Sequence, residues 1–286
     1  MATVITHPPP QPAKSSKKRT REEAQDTLDE GTPAVTSSTT PTNTTTKSDE
    51  PSKKKKRKRT KQISEDAKDS GKKAGIDESI GKMDGRLLAD FFAQQAQSQN
   101  SELTTMELDD IYVPEQAFLD TSSWQSSRNL ENLPSFLKAH VPKKGASLSI
   151  APEETGSPHT LVITLAGLRA ADITRSLRPF QNKDCAVAKL FAKHIKLKEA
   201  KEFVQRTRIG IGVGTPARVN DLVDSDALNL GSLKRIVIDG SYIDQKKRGI
   251  FDMREIHFPL LRFLNRVDLR ERYAPGDDSR VQILVF

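Results

Sequence analysis

The sequence predicts an α/β fold: a single domain with a mainly parallel sheet flanked by helices, preceded by a disordered basic tail. Three observations support this prediction. Short apolar runs rich in β-branched residues alternate with segments of helical spacing in the second half of the 286-residue chain, the first quarter has few apolar side chains, and nearly all of the net charge of +8 lies in that quarter. Alternation of buried strands and helices is typical of a parallel sheet covered on both faces.

The first 80 residues have the composition of a disordered tail. Ser, Thr, Pro, Lys and Glu dominate, so ordering this segment would cost backbone entropy that no apolar burial offsets. An unbroken cationic run lies within it: Lys53, Lys54, Lys55, Lys56, Arg57, Lys58 and Arg59. Adjacent cations repel one another and stay extended, which favours binding to a nuclear import receptor or to RNA phosphates. The alternative is a tail that only increases solubility.

Residues 81–145 are predicted to form a helical extension packed on the main domain. One amphipathic helix is predicted from four apolar residues at helical spacing: Leu87, Leu88, Phe91 and Phe92. A second anchoring helix is expected to begin near Asn129. Such helices need an apolar surface to cover, and this protein's own domain is favoured over another chain.

The main domain is predicted to span residues 146–286. Its predicted strands are Leu161–Leu165, Ile209–Val213, Ile236–Ile238 and Val281–Phe286. Its predicted helical segments are Arg169–Leu177, Asp184–Arg206 and Pro216–Val223. The segment Asp184–Arg206 has a second interpretation, a short strand followed by a helix. No internal repeat of fixed period is visible.

Several protein classes are disfavoured by composition. The single cysteine, Cys185, cannot form an internal disulfide, which is consistent with a reducing compartment. No apolar run approaches the roughly 18 residues that span a bilayer, and the first residues contain no signal-peptide core. We therefore expect an intracellular, soluble protein without a membrane partner, and its basic excess favours an anionic partner.

The segment Gly210–Arg218 is the most informative one for binding. A strand of small residues runs into Thr215, a good helix N-cap, and Pro216 follows at the first helical position. Free amides at such a helix start bind anions, and Arg218 would add a bidentate phosphate donor. The alternative is a tight strand-to-helix turn with a solvated Arg218. A dinucleotide-binding GxGxxG motif would need glycine where Thr215 stands.

A phosphate-binding P-loop is absent from the sequence. Its pattern is Gly, four residues, then Gly-Lys followed by Ser or Thr, which wraps amides around phosphates and places a hydroxyl on magnesium. The nearest match runs from Gly75 to Gly81 and Lys82. Its spacing is one residue too long, and Met83 replaces the hydroxyl. We interpret it as a chance similarity.

The run from Ile236 to Asp239 has the form of a Walker B strand, whose carboxylate holds magnesium. A hydrolase of this type needs a second carboxylate to position water, but Gly240 follows. We therefore interpret Asp239 as a turn or capping residue rather than a metal ligand. The histidines are scattered and Cys185 has no paired cysteine, so no metal site, catalytic residue or cofactor is predicted.

In their order and spacing, these stretches resemble the first RecA-like domain of DEAD-box RNA helicases. Gly214–Arg218 is similar to the TPGR motif that touches RNA backbone, and Ile236–Tyr242 stands where the strand and the D-E-A-D sequence belong. Arg169, after the run Leu161–Leu165, matches the Arg of the PTRELA motif. Three departures stand out: there is no P-loop, Gly-Ser-Tyr replaces Glu-Ala-Asp, and no second RecA domain is expected after Phe286.

More closely, the sequence resembles the eukaryotic Cms family of U3-containing 90S pre-ribosomal complex subunits. The resemblance rests on Lys189–His194, Val213–Arg218, Ile238–Ser241 and the basic tail. It implies a RecA-like domain without a P-loop and a nucleolar factor of early small-subunit ribosome assembly. The implied partners are pre-ribosomal RNA and U3 ribonucleoprotein-containing assembly proteins, with the chain monomeric within a large particle.

The favoured hypothesis is therefore a non-enzymatic, helicase-like module of the small-subunit processome, located in the nucleus and nucleolus. Thr215 and Arg218 are the first two candidates for contact with RNA backbone, and Arg169 is the third. Two alternatives remain from other functional classes. One is an RNA-dependent ATPase or helicase with degenerate motifs, and the other is a chromatin or transcription adaptor that uses only the basic tail.

Overall fold

A five-stranded, all-parallel sheet organises the fold. The computed structural model describes residues 72–73, 75–193, 195–274, 276 and 279–286. The cationic run 53–59 lies outside the described residues. A short antiparallel pair, β1 (Lys72–Lys73) and β2 (Ile76–Asp77), precedes the sheet. The strands of the sheet are β3 (Thr160–Ile163), β4 (Ala186–Leu190), β5 (Ile209–Gly214), β6 (Arg235–Ile238) and β7 (Gln282–Val285).

Helices flank this sheet, so the predicted fold class is confirmed. They are α1 (Gly85–Gln99), α2 (Thr105–Ile111), α3 (Leu133–Ala139), α4 (Gly167–Ser176), α5 (Leu197–Arg206), α6 (Pro216–Val223), α7 (Arg254–Leu264) and α8 (Val267–Arg270). The segment Asp184–Arg206 takes its second interpretation, a strand followed by a helix. Within the described part of the chain, none of the helices combines the length and apolar character that crossing a bilayer requires.

The strand order β4-β5-β3-β6-β7 places a topological switch at β3. From β3 the chain goes to the far edge strand β4, returns through β5, and then crosses to β6 and β7 on the other side. The register aligns Ile163 with Gly214 on one side and with Ile238 on the other. The carboxyl ends of three neighbouring strands therefore lie level, at the place where open α/β sheets bind ligands.

Two apolar cores cover the two faces of the sheet. Successive strand residues point to opposite faces, so Leu161 and Ile163 enter one core whereas Val162 enters the other. The first core contains residues of α1, α5, α6 and α7, and the second contains residues of α3 and α4. Strands that are buried on both faces explain why the β-branched runs are apolar throughout.

The segment before the sheet contributes to both of these cores. Phe92 of α1 packs against the rings of Phe118 and Phe251, with centroids 5.2 and 4.7 Å apart. Phe136 of α3 packs against Phe286, the residue after β7, at 4.8 Å. Residues of the segment 81–145 thus share the two apolar cores with residues of the strands.

Residues 75–80, which fall within the predicted tail, contact the domain. The Asp77 amide donates to the Ser241 carbonyl at 2.7 Å, and the Ile243 amide donates to the Gly75 carbonyl at 3.1 Å. Ile80 is buried in the first core. The buried side chain of Ile80 thus packs this short segment against the domain.

We predict that α1 is an integral part of the folded domain. Phe92→Ala is expected to lower the free energy of unfolding by about 3–5 kcal/mol, because Phe92 is fully buried. Leu87→Ala on the same helix is the matched control; Leu87 is 55% exposed and its truncation should cost no more than about 0.5 kcal/mol. Urea unfolding measures both values. Equal, small losses would contradict the prediction.

Candidate functional site at the carboxyl edge of the sheet

The candidate site is the carboxyl edge, which we define by the residues that follow three central strands: Thr164, Thr215 and Asp239. Main-chain bonds hold these strand ends together. The Thr164 amide donates to the Gly214 carbonyl at 3.0 Å, and the Asp239 amide donates to the Ile163 carbonyl at 2.9 Å. Because the register is level, the side chains that begin the following loops are brought to one place.

A buried ion pair occupies the centre of the carboxyl edge. Nε of Arg169 donates to Oδ2 of Asp239 and Nη2 donates to Oδ1, both at 2.9 Å. The Thr164 hydroxyl donates to the same Oδ2 at 2.7 Å. The Tyr242 ring lies on the guanidinium, with its centroid 4.3 Å from Cζ. This planar, two-point pairing satisfies both carboxylate oxygens inside the protein.

The interpretation of Asp239 as a turn or capping residue is therefore wrong. Its carboxylate pairs with Arg169, a residue 70 positions earlier in the chain that lies on the first turn of α4. Arg169 itself is only 9% exposed. Both oxygens of this aspartate accept hydrogen bonds within the protein, and its charge is balanced by the guanidinium. Across the described residues, no group of three or more His, Cys, Asp and Glu side chains could hold a metal ion.

Gly240 has a steric role at this edge. A Cβ atom built there would lie 2.7 Å from Cγ1 of Val285 and 3.2 Å from Cε2 of Phe251. The Gly240 and Ser241 amides both donate to the Phe286 carbonyl, at 2.8 and 2.9 Å. A larger residue, such as a second carboxylate, cannot be placed at this position unless the side chain of Val285 moves.

Arg128 binds the end of β7 and is a buried residue that was not predicted from the sequence. Its Nη1 donates to the Val285 carbonyl at 2.6 Å, and its Nη2 donates to the carbonyls of Gly81 and Thr121 at 2.5 and 2.8 Å. Burial lowers the pKa of Arg128 to about 10, so the guanidinium stays charged at neutral pH. The sequence feature that could have indicated a buried arginine is its position between two apolar residues, Trp124 and Leu130.

Gly81 is required by this arginine rather than by a phosphate. A Cβ atom at position 81 would lie 2.0 Å from Nε of Arg128. The Gly-Lys pair that superficially matches a P-loop lies in a 3₁₀ helix, Ile80–Lys82, next to this guanidinium. Its glycine serves close packing, which gives the pair a physical explanation without a nucleotide.

The three candidate RNA-binding residues follow neighbouring strands at the carboxyl edge. Thr215 is half-exposed at the N-cap position of α6, and its side chain makes no capping bond. Arg218, on the first turn of α6, is 8% exposed and donates from Nη1 to the Ile195 carbonyl at 3.1 Å. The alternative of a solvated Arg218 is therefore wrong. Arg169, on the helix that follows β3, is engaged by Asp239 at the end of β6.

The loop after β4 brings exposed lysines to the same edge. Lys193 and Lys196 are both exposed. A Cβ atom at Gly167, the first residue of α4, would lie 3.3 Å from Cβ of Lys193, so this loop touches the start of that helix. The same loop supplies the Ile195 carbonyl that binds Arg218. The loop thus joins the starts of α4 and α6 and adds positive charge beside them.

A family model described as "CMS1: U3-containing 90S pre-ribosomal complex subunit" matches residues 37–286 of this sequence. The chain belongs to the CMS1 family. The resemblance seen in the sequence is therefore confirmed, and it connects the chain to ribosome biogenesis.

Curated members of the family are similar over much of the chain. Protein CMS1 of Chaetomium thermophilum is 48% identical over 222 residues, which is 78% of this chain and 88% of that protein. Protein cms1 of Schizosaccharomyces pombe is 30% identical, over 65% of each chain. Human Protein CMSS1 is 33% identical, over 69% of this chain and 64% of the human one. The match thus spans less than two thirds of these last two relatives.

Among solved structures, part of the fold is similar to an S. cerevisiae Dbp5 variant bound to Nup159, a Gle1 variant, IP6 and ADP. The TM-score is 0.35 at 16% sequence identity. The similarity covers 57% of this chain and 42% of that one.

We predict that the ion pair at the carboxyl edge is strongly coupled. Arg169→Met should lower the free energy of unfolding by about 3–5 kcal/mol, because it leaves the Asp239 carboxylate buried without a partner. Adding Asp239→Asn should recover about 1 kcal/mol or more, since the uncompensated charge is then removed. Urea unfolding of the two single variants and the double variant measures the coupling. Additive losses would show that the two side chains do not depend on each other.

Proposed function

We propose that this chain acts in the 90S pre-ribosome, or small-subunit processome, as a non-enzymatic assembly factor. Its helicase-like domain binds pre-ribosomal RNA and assembly proteins of the U3-containing particle. Membership of the CMS1 family supports the setting. The single observation that carries the non-enzymatic part is the buried pair between Arg169 and Asp239, which occupies the place where a nucleotide hydrolase keeps a carboxylate free for magnesium.

The geometry of the carboxyl edge supports the absence of phosphoryl transfer. That chemistry depends on a cradle for the phosphates, a carboxylate on magnesium and a residue that positions water. Here Asp239 is neutralised by a guanidinium, and Gly240 leaves no space for a side chain. Arg128 fills the neighbouring strand end. The elements that would drive a cycle of hydrolysis are replaced by packing contacts.

RNA backbone is the proposed ligand of the exposed part of this edge. The Thr215 hydroxyl makes no capping bond and remains available to a phosphate oxygen, and it precedes the free amides at the start of α6. Arg218 adds positive charge from the first turn, while the exposed Lys193 and Lys196 extend it along the loop. Arg169, the third candidate, contributes through its pairing with Asp239, which ties the first turn of α4 to the end of β6.

The basic tail completes the proposal. Its run of seven cations, residues 53–59, supplies nuclear import and a salt-dependent attraction to phosphates. We propose that the chain acts in the nucleolus as a monomer within the large particle. In this arrangement the tail provides attraction without sequence preference, and the carboxyl edge of the sheet fixes the position on the RNA.

The RNA proposal predicts that one hydroxyl at the carboxyl end of β5 matters while another at its amino end does not. Thr215→Val should lower the yield of crosslinks to pre-ribosomal RNA in cells about tenfold or more, because a hydrogen bond to a charged oxygen contributes about 1.5–3 kcal/mol. Thr207→Val is the control, because Thr207 lies just before β5, at the opposite end. Equal crosslink yields from wild type, Thr215→Val and Arg218→Lys would overturn the assignment.

The non-enzymatic proposal predicts that the purified full chain neither binds nor hydrolyses ATP. With Mg²⁺ and a single-stranded RNA present, phosphate release should not exceed that of the buffer, and calorimetry should detect no nucleotide binding. RNA-stimulated turnover that disappears in Asp239→Ala would favour the alternative, an RNA-dependent ATPase with degenerate motifs. Turnover that persists in that variant would instead indicate a contaminating enzyme.

A further inference from the structure

The two edge strands of the sheet, β7 and β4, differ in whether another segment covers their outer side. At the β7 edge, the chain passes alongside the strand: Phe118 forms a parallel bridge with Ile283, and the Leu119 amide donates to the Ile283 carbonyl at 2.8 Å. At the other edge, no strand pairs with the outer side of β4 within the described ranges. An open edge strand presents main-chain donors and acceptors to any extended segment of suitable chemistry.

The outward-facing groups of β4 can be identified from its bonds to β5. The Ala186 amide donates to the Arg208 carbonyl at 3.0 Å, and the Leu190 carbonyl accepts from the Thr215 amide at 3.3 Å. Residues of a strand alternate in the side to which their main-chain groups point. The amides and carbonyls of Val187 and Lys189 therefore point away from β5, toward the open edge.

A groove runs along this open edge between α4 and α5. We call it the β4-edge groove; its lining includes Ala171, Arg178, Val187, Lys189, Ala200 and Phe203. Phe203 is 46% exposed, which is unusual for a phenylalanine on a helix whose other side is packed on the core. Small residues on both flanking helices leave space beside the strand, and the phenylalanine offers an apolar contact above it.

The charge of the β4-edge groove selects for acidic ligands. Arg178 and Lys189 are exposed, and neither forms an ion pair with any residue that the structure describes. Arg175, also on the lining, is paired with Asp172 at 2.7 Å. A lysine on an edge strand repels other basic edges and protects the strand from unspecific pairing. The same lysine complements an acidic segment.

We propose that the β4-edge groove binds a short, extended, acidic segment of a partner protein, which adds as a strand to β4. Main-chain bonds to Val187 and Lys189 would give affinity, and side-chain contacts would give selectivity. Acidic residues would face Arg178 and Lys189, and an apolar residue would contact Phe203. This inference rests on the proposed function only in that it assigns a surface to one of the assembly proteins; it does not involve the RNA contact.

The first test is crosslinking in the purified particle, with the full chain carrying a photoreactive benzoylphenylalanine at position 203. Position 267 on α8 is the matched control, because Val267 is 72% exposed and does not line the groove. We expect position 203, and not position 267, to crosslink to one protein segment with a net negative charge. Crosslinks to RNA, to a second copy or to this chain's own tail, identical products at both positions, or no product would overturn the proposal.

The second test uses the crosslinked segment as a synthetic peptide added to the purified full chain. Strand addition should slow hydrogen exchange at the amides of Val187 and Lys189 about tenfold. Lys189→Pro should abolish binding, because proline lacks the donor yet is tolerated on an edge strand. Lys189→Gln keeps the donor, so it should bind more weakly and with less dependence on salt. Equal binding by these two variants would rule out strand addition.

The proposed RNA contact at the carboxyl edge and the proposed peptide contact in the β4-edge groove can be tested independently. Loss of the groove interaction in Lys189→Pro should leave the Thr215-dependent crosslink to pre-ribosomal RNA at its wild-type yield. Conversely, loss of that RNA crosslink in Thr215→Val should leave peptide binding to the groove unchanged. A variant that loses both would show that the domain has unfolded, which circular dichroism detects, and Lys189→Gln then remains as the folded comparison.

Discussion

The ion pair between Arg169 and Asp239 determines what the carboxyl edge of the sheet can do. Both groups are taken out of water, so each depends on the other, and removal of either leaves a charge that the interior cannot solvate. The pair also ties the first turn of α4 to the end of β6. Open α/β sheets bind ligands at their carboxyl edge, but here the ion pair makes this edge a structural contact between α4 and β6. The buried pair is the reason for the proposed absence of catalysis.

Two further arginines also use their guanidinium groups to connect parts of the fold. Arg128 binds the carbonyls of Gly81, Thr121 and Val285 and so joins the segment before the sheet to β7. Arg218 joins α6 to the loop after β4 through the Ile195 carbonyl. Part of the basic excess of the chain thus serves internal connections. The positive charge that is left for a ligand comes from exposed lysines and arginines, and these two uses of positive charge cannot be separated by counting residues.

Much of the fold follows from local sequence patterns. The β-branched runs predicted strands, and the Thr-Pro pair at 215–216 predicted the start of α6. Both signals are local, because they involve only residues that are neighbours in the chain. Helix α7 was not predicted, and Pro259 in its interior is a residue that ordinarily ends a helix. Thr215, Arg218 and Arg169 all follow predicted parallel strands, which places them on the carboxyl side of the sheet. The sequence did not show that Asp239 neutralises Arg169, since that contact joins residues far apart in the chain.

We propose that the protein's own cations fill the carboxyl edge and that no nucleotide binds there. This proposal can be tested by an experimental structure of the full chain determined with saturating Mg²⁺ and ATP. We expect Arg169 to remain in two-point contact with Asp239 and no nucleotide to lie at the ends of β3 and β6. A magnesium ion bound by Asp239 beside an ordered triphosphate, with Arg169 displaced, would contradict it.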